Sequence, residues 1–177
     1  MASLVGHSKA RTRGSAPIES DRLALVELDL DDAVEMAGVL ADDALYAFTG
    51  GRPPTVATLR KTYARLSRGH SADGRQEWRN WIVRIRTDKR AIGTVQATIV
   101  DAGRTASIAW IIGTAWQGQG FATEAAQAVV RWLDAHGVST IRASIHPDHA
   151  ASAAVAARAG LHPTDEIIDG ERVWSRS

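Results

Sequence analysis

Between Thr105 and His146 the chain reads TASIAWIIGTAWQGQGFATEAAQAVVRWLDAHGVSTIRASIH. A strand-length apolar run is followed by two glycines, a long alanine-rich segment that stops at Gly137, and a second short apolar run. Phe121, Ala125, Val129 and Leu133 recur at helical spacing in the middle segment. Strand, helix and strand in this order need a crossover, so the two strands lie parallel or splayed within one sheet. Gly118 and Gly120 fall where the helix has to begin. Such flexible residues at that point mean that something approaches the backbone closely. A helix N-terminus offers unpaired N–H groups and a partial positive charge, so the approaching group is an anion, often a phosphate.

The remaining segments build a mostly antiparallel sheet around this unit. LALVEL, residues 23–28, alternates as a strand, and LDLDDAVEMAGVL places acidic residues ahead of the stripe Ala33, Met36, Ala37 and Leu40. YAFTGGRPPT is a loop. From Thr55 the spacing of Leu59, Tyr63 and Leu66 predicts a second helix that ends near Gly69, and RGHSADGRQ is an exposed turn. WRNWIVRIR sets Trp81, Val83 and Ile85 on one face, and with AIGTVQATIV and TASIAWII it forms an antiparallel meander. HAASAAVAARAG is a helix with a terminal glycine, and EIIDGERVW is a hairpin with an Asp-Gly turn. The order is β-α-α-β-β-β-α-β-α-β-β. It describes one α/β domain over residues 18–177, without repeats. Residues 1–17, small, polar and mildly basic with no apolar signal core, read as a poorly ordered tail.

Composition removes several classes of function. A formal charge of +1 and the absence of any basic run argue against nucleic acid as a partner. The chain has no cysteine, which excludes disulfides, thiolate metal sites and a cysteine acyl-enzyme. No histidines and aspartates have metal-site spacing, so no metal is expected. No run approaches the roughly 18 apolar residues of a membrane span, so the expectation is a cytoplasmic protein, monomer or homodimer, without a membrane partner. Among phosphate loops, a P-loop needs a Gly-Lys pair, which the chain lacks. A dinucleotide fingerprint needs a third glycine where Thr123 stands, and a parallel sheet.

What remains is the pattern [QR]-x-x-G-x-[GA], met by Gln117, Gly120 and Ala122 directly after a strand and at the head of a long helix. This resembles the pyrophosphate loop of the GCN5-related N-acetyltransferases, the GNAT family. IESDRLALVELDLDDA resembles the opening strand and helix of the family's RimJ/RimL-like branch. TASIAWIIGTAWQGQGFATEA resembles its fourth strand and loop, and IHPDHAASAAVAARAGL its fifth strand and following helix. The resemblance spans residues 18–177 in the right order. It implies a GNAT fold: a sheet of about seven strands with a splay between the fourth and fifth, and about four helices. It also implies acetyl-CoA as co-substrate and a primary amine, on a protein N-terminus or a small molecule, as acceptor. Transfer is direct, in a ternary complex.

Residue by residue, the resemblance assigns the cofactor's diphosphate to Gln117, Gly118, Gln119, Gly120, Phe121, Ala122 and Thr123. The main chain of Trp110, Ile111 and Ile112 is assigned to pantetheine, with the Ile112 N–H as the oxyanion donor. Two departures weaken the chemistry. Ser107 stands where many relatives carry a glutamate base, and Ala156 where others carry a tyrosine that protonates the thiolate. Ser152 is the remaining hydroxyl donor, beside His149 as a cofactor contact. His146, with an ordinary pKa of about 6.5, suits a proton acceptor. Tyr46, Phe48, Thr49 and Trp81 fall on the acceptor side, with Asp42 or Asp43 as partners for a cationic amine. The alternative is a non-catalytic acyl-CoA sensor or interaction module on the same fold.

Overall fold

The structure, a computed structural model, describes residues 16–177. All but the last two residues of the expected N-terminal tail lie outside that range. The strands are β1 (Ile18–Glu19), β2 (Leu23–Glu27), β3 (Glu77–Ile85), β4 (Ala91–Val100), β5 (Thr105–Ile112), β6 (Thr140–Ile145), β7 (His162–Ile168) and β8 (Glu171–Arg176). The helices are α1 (Asp32–Val39), α2 (Val56–Leu66), α3 (Phe121–Ala135) and α4 (Ala150–Arg158). One sheet in the order β1-β2-β3-β4-β5-β6-β8-β7 carries them all. The element order read from the sequence is present, with one addition. β1 is a two-residue strand paired with β2, too short to leave a periodic signal.

Every pair in the sheet is antiparallel except β5 with β6. That parallel pair holds only three rungs, Thr105↔Thr140, Ala106↔Ile141 and Ser107↔Arg142. Beyond them β5 runs on to Ile112 and β6 to Ile145 without pairing, so the two strands part. This is the expected splay, at β5 and β6 because β1 shifts the count. β4 holds the other edge of β5 along its whole length, from Gly93↔Ile112 to Val100↔Thr105. A methyl group on Gly93 would drive into the Ile111 carbonyl, so the close approach of β4 at the open end requires glycine there.

Strand alternation divides the apolar residues into two cores, one on each face of the sheet. On one face Leu23, Leu25, Trp81, Val83, Val95 and Ile108 pack under α3 and α4. Phe121, Ala125, Val129 and Leu133, the predicted stripe of α3, are all buried there. The three larger side chains are worth about 1.5–3 kcal/mol each in burial. On the opposite face Ile82 and Ala91 pack under Ala33, Met36, Leu59 and Tyr63 of α1 and α2. An ion-pair cluster fixes α1 to the sheet. Arg84 reaches Asp32 at 2.8 Å and Glu35 at 2.9 Å, and Glu35 also accepts the Ala91 N–H at 2.8 Å. Among the described residues no helix is long and apolar enough to cross a membrane.

Candidate active site

At the open end of β5, backbone direction decides which groups are available. The Gly113 N–H donates to the Ile92 carbonyl at 2.8 Å, toward β4. Along a strand, alternate residues turn their polar groups to opposite edges. Ile111 therefore faces β4 with Gly113, while Trp110 and Ile112 face the gap between β5 and β6. Of the three residues assigned to pantetheine, two present their main chain to the gap. Ile111 does not, because its peptide groups serve the β4 ladder. The Ile112 carbonyl accepts from the Gln117 amide at 2.9 Å, which folds the following loop back onto the strand end. Gln117 is thus a brace of the loop, and the Ile112 N–H is left toward the opening.

The loop then prepares the head of α3. Gly118 and Gly120 have φ of +73° and +79°, in the left-handed region where a side chain is strained. Gly120 is the N-cap and offers no side-chain acceptor to the first turn. Among the described residues the N–H groups of positions 118–123 find no acceptor; the first to be satisfied is that of Glu124, on the Gly120 carbonyl at 3.0 Å. Six consecutive free N–H groups at the positive end of a 15-residue helix form a cradle for an anion. Gly118, Gln119 and Gly120 are exposed, Ala122 and Thr123 half-buried, and the Phe121 side chain is buried as an anchor.

Across the gap, His149 caps α4 without a side-chain hydrogen bond, and Ser152 is the third residue of that helix, half-buried. Ala156 is fully buried core. His146 Nδ1 accepts the Asp148 N–H at 3.2 Å. A neutral imidazole has one acceptor nitrogen, so this hydrogen bond assigns the proton to Nε2. His146 is then a donor at the gap, and the proton-acceptor reading loses its lone pair. His149 is held below the ordinary histidine value, first by burial and then by the neighbouring His146.

The loop after α1 bridges both strand ends. The Asp42 carboxylate accepts from the Thr114 hydroxyl at 2.6 Å, beside the end of β5, and from the Ala44 N–H at 2.9 Å. The Thr114 bond first and the Ala44 bond second hold its carboxyl below the usual range. Six residues on, Phe48 stacks on His149 at 4.4 Å between ring centroids and lies 5.5 Å from His146, at the end of β6. Between them the Tyr46 hydroxyl donates to the Leu40 carbonyl at 3.0 Å, and burial first and Asp43 second raise its pKa. Asp43 and Thr49 are exposed on the same loop. Trp81 is not part of this group. It is 5% exposed in the core under α3, edge-on to Trp132 at 5.3 Å, because its strand position points to the face away from α1 and α2.

The sheet surface beside the gap is polar, and the carboxylate nearest to its rungs, that of Glu166 on β7, is paired with Arg142. Register sets Gln96 opposite Ala109, Thr98 opposite Ser107, and Ser107 opposite Arg142, with Ser144 two residues on. Gln96, Ser107, Ala109 and Ser144 are exposed. A further pair was not legible in the sequence. Arg22, just before β2, binds Glu124 of α3 at 2.7 Å and the Gln119 carbonyl at 3.0 Å. The partners lie 102 residues apart, so no local pattern joins them.

Known proteins agree with this architecture. The Acetyltransferase (GNAT) domain family matches residues 22–162. No curated protein matches the sequence significantly. A GNAT acetyltransferase from Bacillus anthracis superposes with a TM-score of 0.72 at 17% identity, over 90% of this chain and 97% of its own. RimL, a ribosomal L7/L12 alpha-N-protein acetyltransferase solved with coenzyme A, gives 0.72 at 16% identity, over 89% and 94%. The aminoglycoside acetyltransferase AAC(6')-Ib with coenzyme A gives 0.72 at 17%, over 88% and 94%. A match over most of the chain, on a sheet that splays beside a glycine-rich helix start, places this protein in the GNAT acetyltransferase family.

Proposed function

We propose that this protein transfers the acetyl group of acetyl-CoA directly to a primary amine, with both substrates bound together. The observation that carries the reading is the run of free N–H groups at 118–123, set at the mouth of a strand pair that parts after three rungs. The residues fit the donor. The loop has the positive-φ glycines and open donors a diphosphate needs, and the gap offers the main chain of Trp110 and Ile112 to an extended amide arm. Acetyl-CoA supplies an activated acyl group as a thioester. The chain's own part is to orient it, to place the Ile112 N–H where charge grows on the carbonyl oxygen, and to return a proton to the sulfur. The neutral amine attacks and its surplus proton passes, through the Ser152 hydroxyl or a water it holds, to the departing thiolate, which the His146 Nε2–H stabilises by a hydrogen bond. No nucleophile on the protein is required.

The acceptor follows from the sheet surface. Ser107 stands in place of a carboxylate among Gln96, Thr98 and Ser144, and the neighbouring carboxylates of Asp42 and Glu166 are already committed to Thr114 and Arg142, so among the described residues the amine meets no free base there. An α-amine, with a pKa of about 7.7–8.0, is partly neutral near pH 7.5, whereas a lysine amine near 10.4 is almost wholly protonated. The bare surface therefore favours an α-amine, on a protein N-terminus or a small molecule, over an alkylamine. The same surface supports the second reading, a sensor that binds acyl-CoA without turning it over.

Release of free thiol from acetyl-CoA, measured with peptide α-amines and lysine-type amines at pH 7.5, tests both. The expected result is turnover that is at least about tenfold faster with α-amines. Binding without thiol release from any amine would establish the sensor. Intact mass after acetyl-CoA alone should show no acetyl gain, since a competent acetyl-enzyme contradicts direct transfer.

A further inference from the structure

Glu124 presents an electrostatic contradiction. It is an acidic residue in the first turn of α3, the turn whose free N–H groups form the anion cradle. A carboxylate there is stabilised by the helix but repels a second anion at the same place. The structure surrounds that charge. One oxygen, Oε1, accepts the Arg22 backbone N–H and the Ser20 hydroxyl, both at 2.8 Å. The other, Oε2, accepts Arg22 Nε at 2.7 Å. Burial alone would raise the carboxyl, but these hydrogen bonds outweigh it and hold the group ionised, below its ordinary range.

The same guanidinium grips the loop itself. Nη1 donates to the Gln119 carbonyl at 3.0 Å, and Cζ sits 4.4 Å above the Phe121 ring. Nη2 stands 3.5 Å from the point where a Cβ on Gly120 would lie. One side chain from the start of β2 therefore contacts Gln119 and Phe121, stands beside Gly120 between them, and cancels the one negative charge in the first turn of α3. Beyond its packing over the Phe121 ring the Arg22 side chain lies at the surface, 48% exposed.

We propose that Arg22 is a positioning residue for the diphosphate of the acetyl donor. It holds residues 119–121 in the anion-binding shape and neutralises Glu124 so that a second anion is tolerated. This rests on the acetyl-CoA reading above. A planar fork is required, because Nε and Nη1 bind two different acceptors at once.

Coenzyme A binding by calorimetry and kinetics with acetyl-CoA and with S-acetyl-pantetheine, which lacks the diphosphate, test the proposal. Wild type must bind coenzyme A; if it does not, the acetyl-CoA reading fails before this one is reached. Arg22→Ala should then weaken coenzyme A binding by about tenfold or more and raise the KM for acetyl-CoA with little change in kcat. Its kcat/KM for S-acetyl-pantetheine should stay within about twofold of wild type. Arg22→Lys should fall between the two, keeping the charge without the fork. Glu124→Gln should retain affinity, and Arg22→Ala with Glu124→Gln should recover most of the loss, because the uncompensated carboxylate is gone. Coenzyme A affinity unchanged in Arg22→Ala would overturn the proposal. So would an equal loss with S-acetyl-pantetheine, which marks a merely structural role. If Arg22→Ala does not fold, Arg22→Lys with wild-type affinity for coenzyme A overturns the requirement for the fork.

Discussion

At the scale of single residues, the site is organised by which lone pairs and protons are already committed. The Gln117 amide is spent on the Ile112 carbonyl, the Asp42 carboxylate on Thr114 and Ala44, and the Tyr46 hydroxyl on Leu40. What is left over defines the chemistry: the Ile112 N–H, the N–H groups of 118–123, the Ser152 hydroxyl, the Nε2–H of His146 and the ring nitrogens of His149. His149 carries a consequence for pH. Burial against Phe48 and the neighbouring His146 depress its pKa below the ordinary 6.5. The unfolded chain therefore binds the proton first as pH falls. The contribution of neutral His149 to stability is complete above about pH 6.5 and is lost as pH falls from there through the lower folded value. His149 followed by NMR should titrate below 6.5. Urea unfolding of His149→Gln should show a shallower loss of stability than wild type between about pH 6.5 and 5, with the remaining slope carried by the other acid-titrating groups.

At the scale of elements, the segment from Asp42 to Phe48 acts as a strap across the splay. Its first contact is with Thr114 after β5 and its last with His149 at the head of α4, so it closes the mouth from the side of α1 and α2. The Thr114 contact is exposed and the Phe48 ring is 40% exposed, so neither contributes much to global stability. On the function proposed above, their effect falls on the acceptor, which would enter beside them. An aromatic stacking contact is worth about 0.5–1.5 kcal/mol, roughly two- to tenfold in an equilibrium. Phe48→Ala should raise the acceptor KM by about that factor while coenzyme A affinity stays within about twofold. Steady-state kinetics at saturating acetyl-CoA read this out. An acceptor KM equal to wild type would show that the strap does not border the acceptor.

At the scale of the whole molecule, two cores on opposite faces of one sheet leave the site between rigid walls. β3 and β4 are paired along their lengths, β3 buried on both faces at Trp81–Val83 and β4 on the face under α3 at Val95 and Ala97, while the glycine loop has no acceptors for six N–H groups in succession. Hydrogen exchange should therefore be uneven. Amides 118–123 should exchange far faster than those of the paired strands in the free protein, and coenzyme A should slow them by at least about tenfold. The amides at the centres of β3 and β4 should barely respond. Unchanged exchange at 118–123 in saturating coenzyme A would remove the loop from the binding site.

The order of elements, the stripe on α3, the meander and the crossover were all legible in the sequence. They follow from local periodicity and from the chain length between strands, and neither needs distant contacts. Gln117, Gly120 and Ala122 were readable for the same reason: glycines at a helix start have a local cause. Short or irregular pieces were less clear. β1 is two residues long, and β7 begins at His162, before the predicted hairpin, at a register shift between Pro163 and Ile167. Only the tertiary structure decided the rest. Trp81 alternates as expected, but which face of the sheet meets α3 depends on how the helices close over it, and that made it core. Ile111 lies between two gap-facing residues, and its place in the β4 ladder turns its peptide groups away. His146 became a donor through one turn hydrogen bond, and Arg22 met Glu124 because β2 runs beside the head of α3. Periodicity reports what a residue's neighbours along the chain require; which lone pair, edge or charge remains free depends on neighbours that only folding brings together.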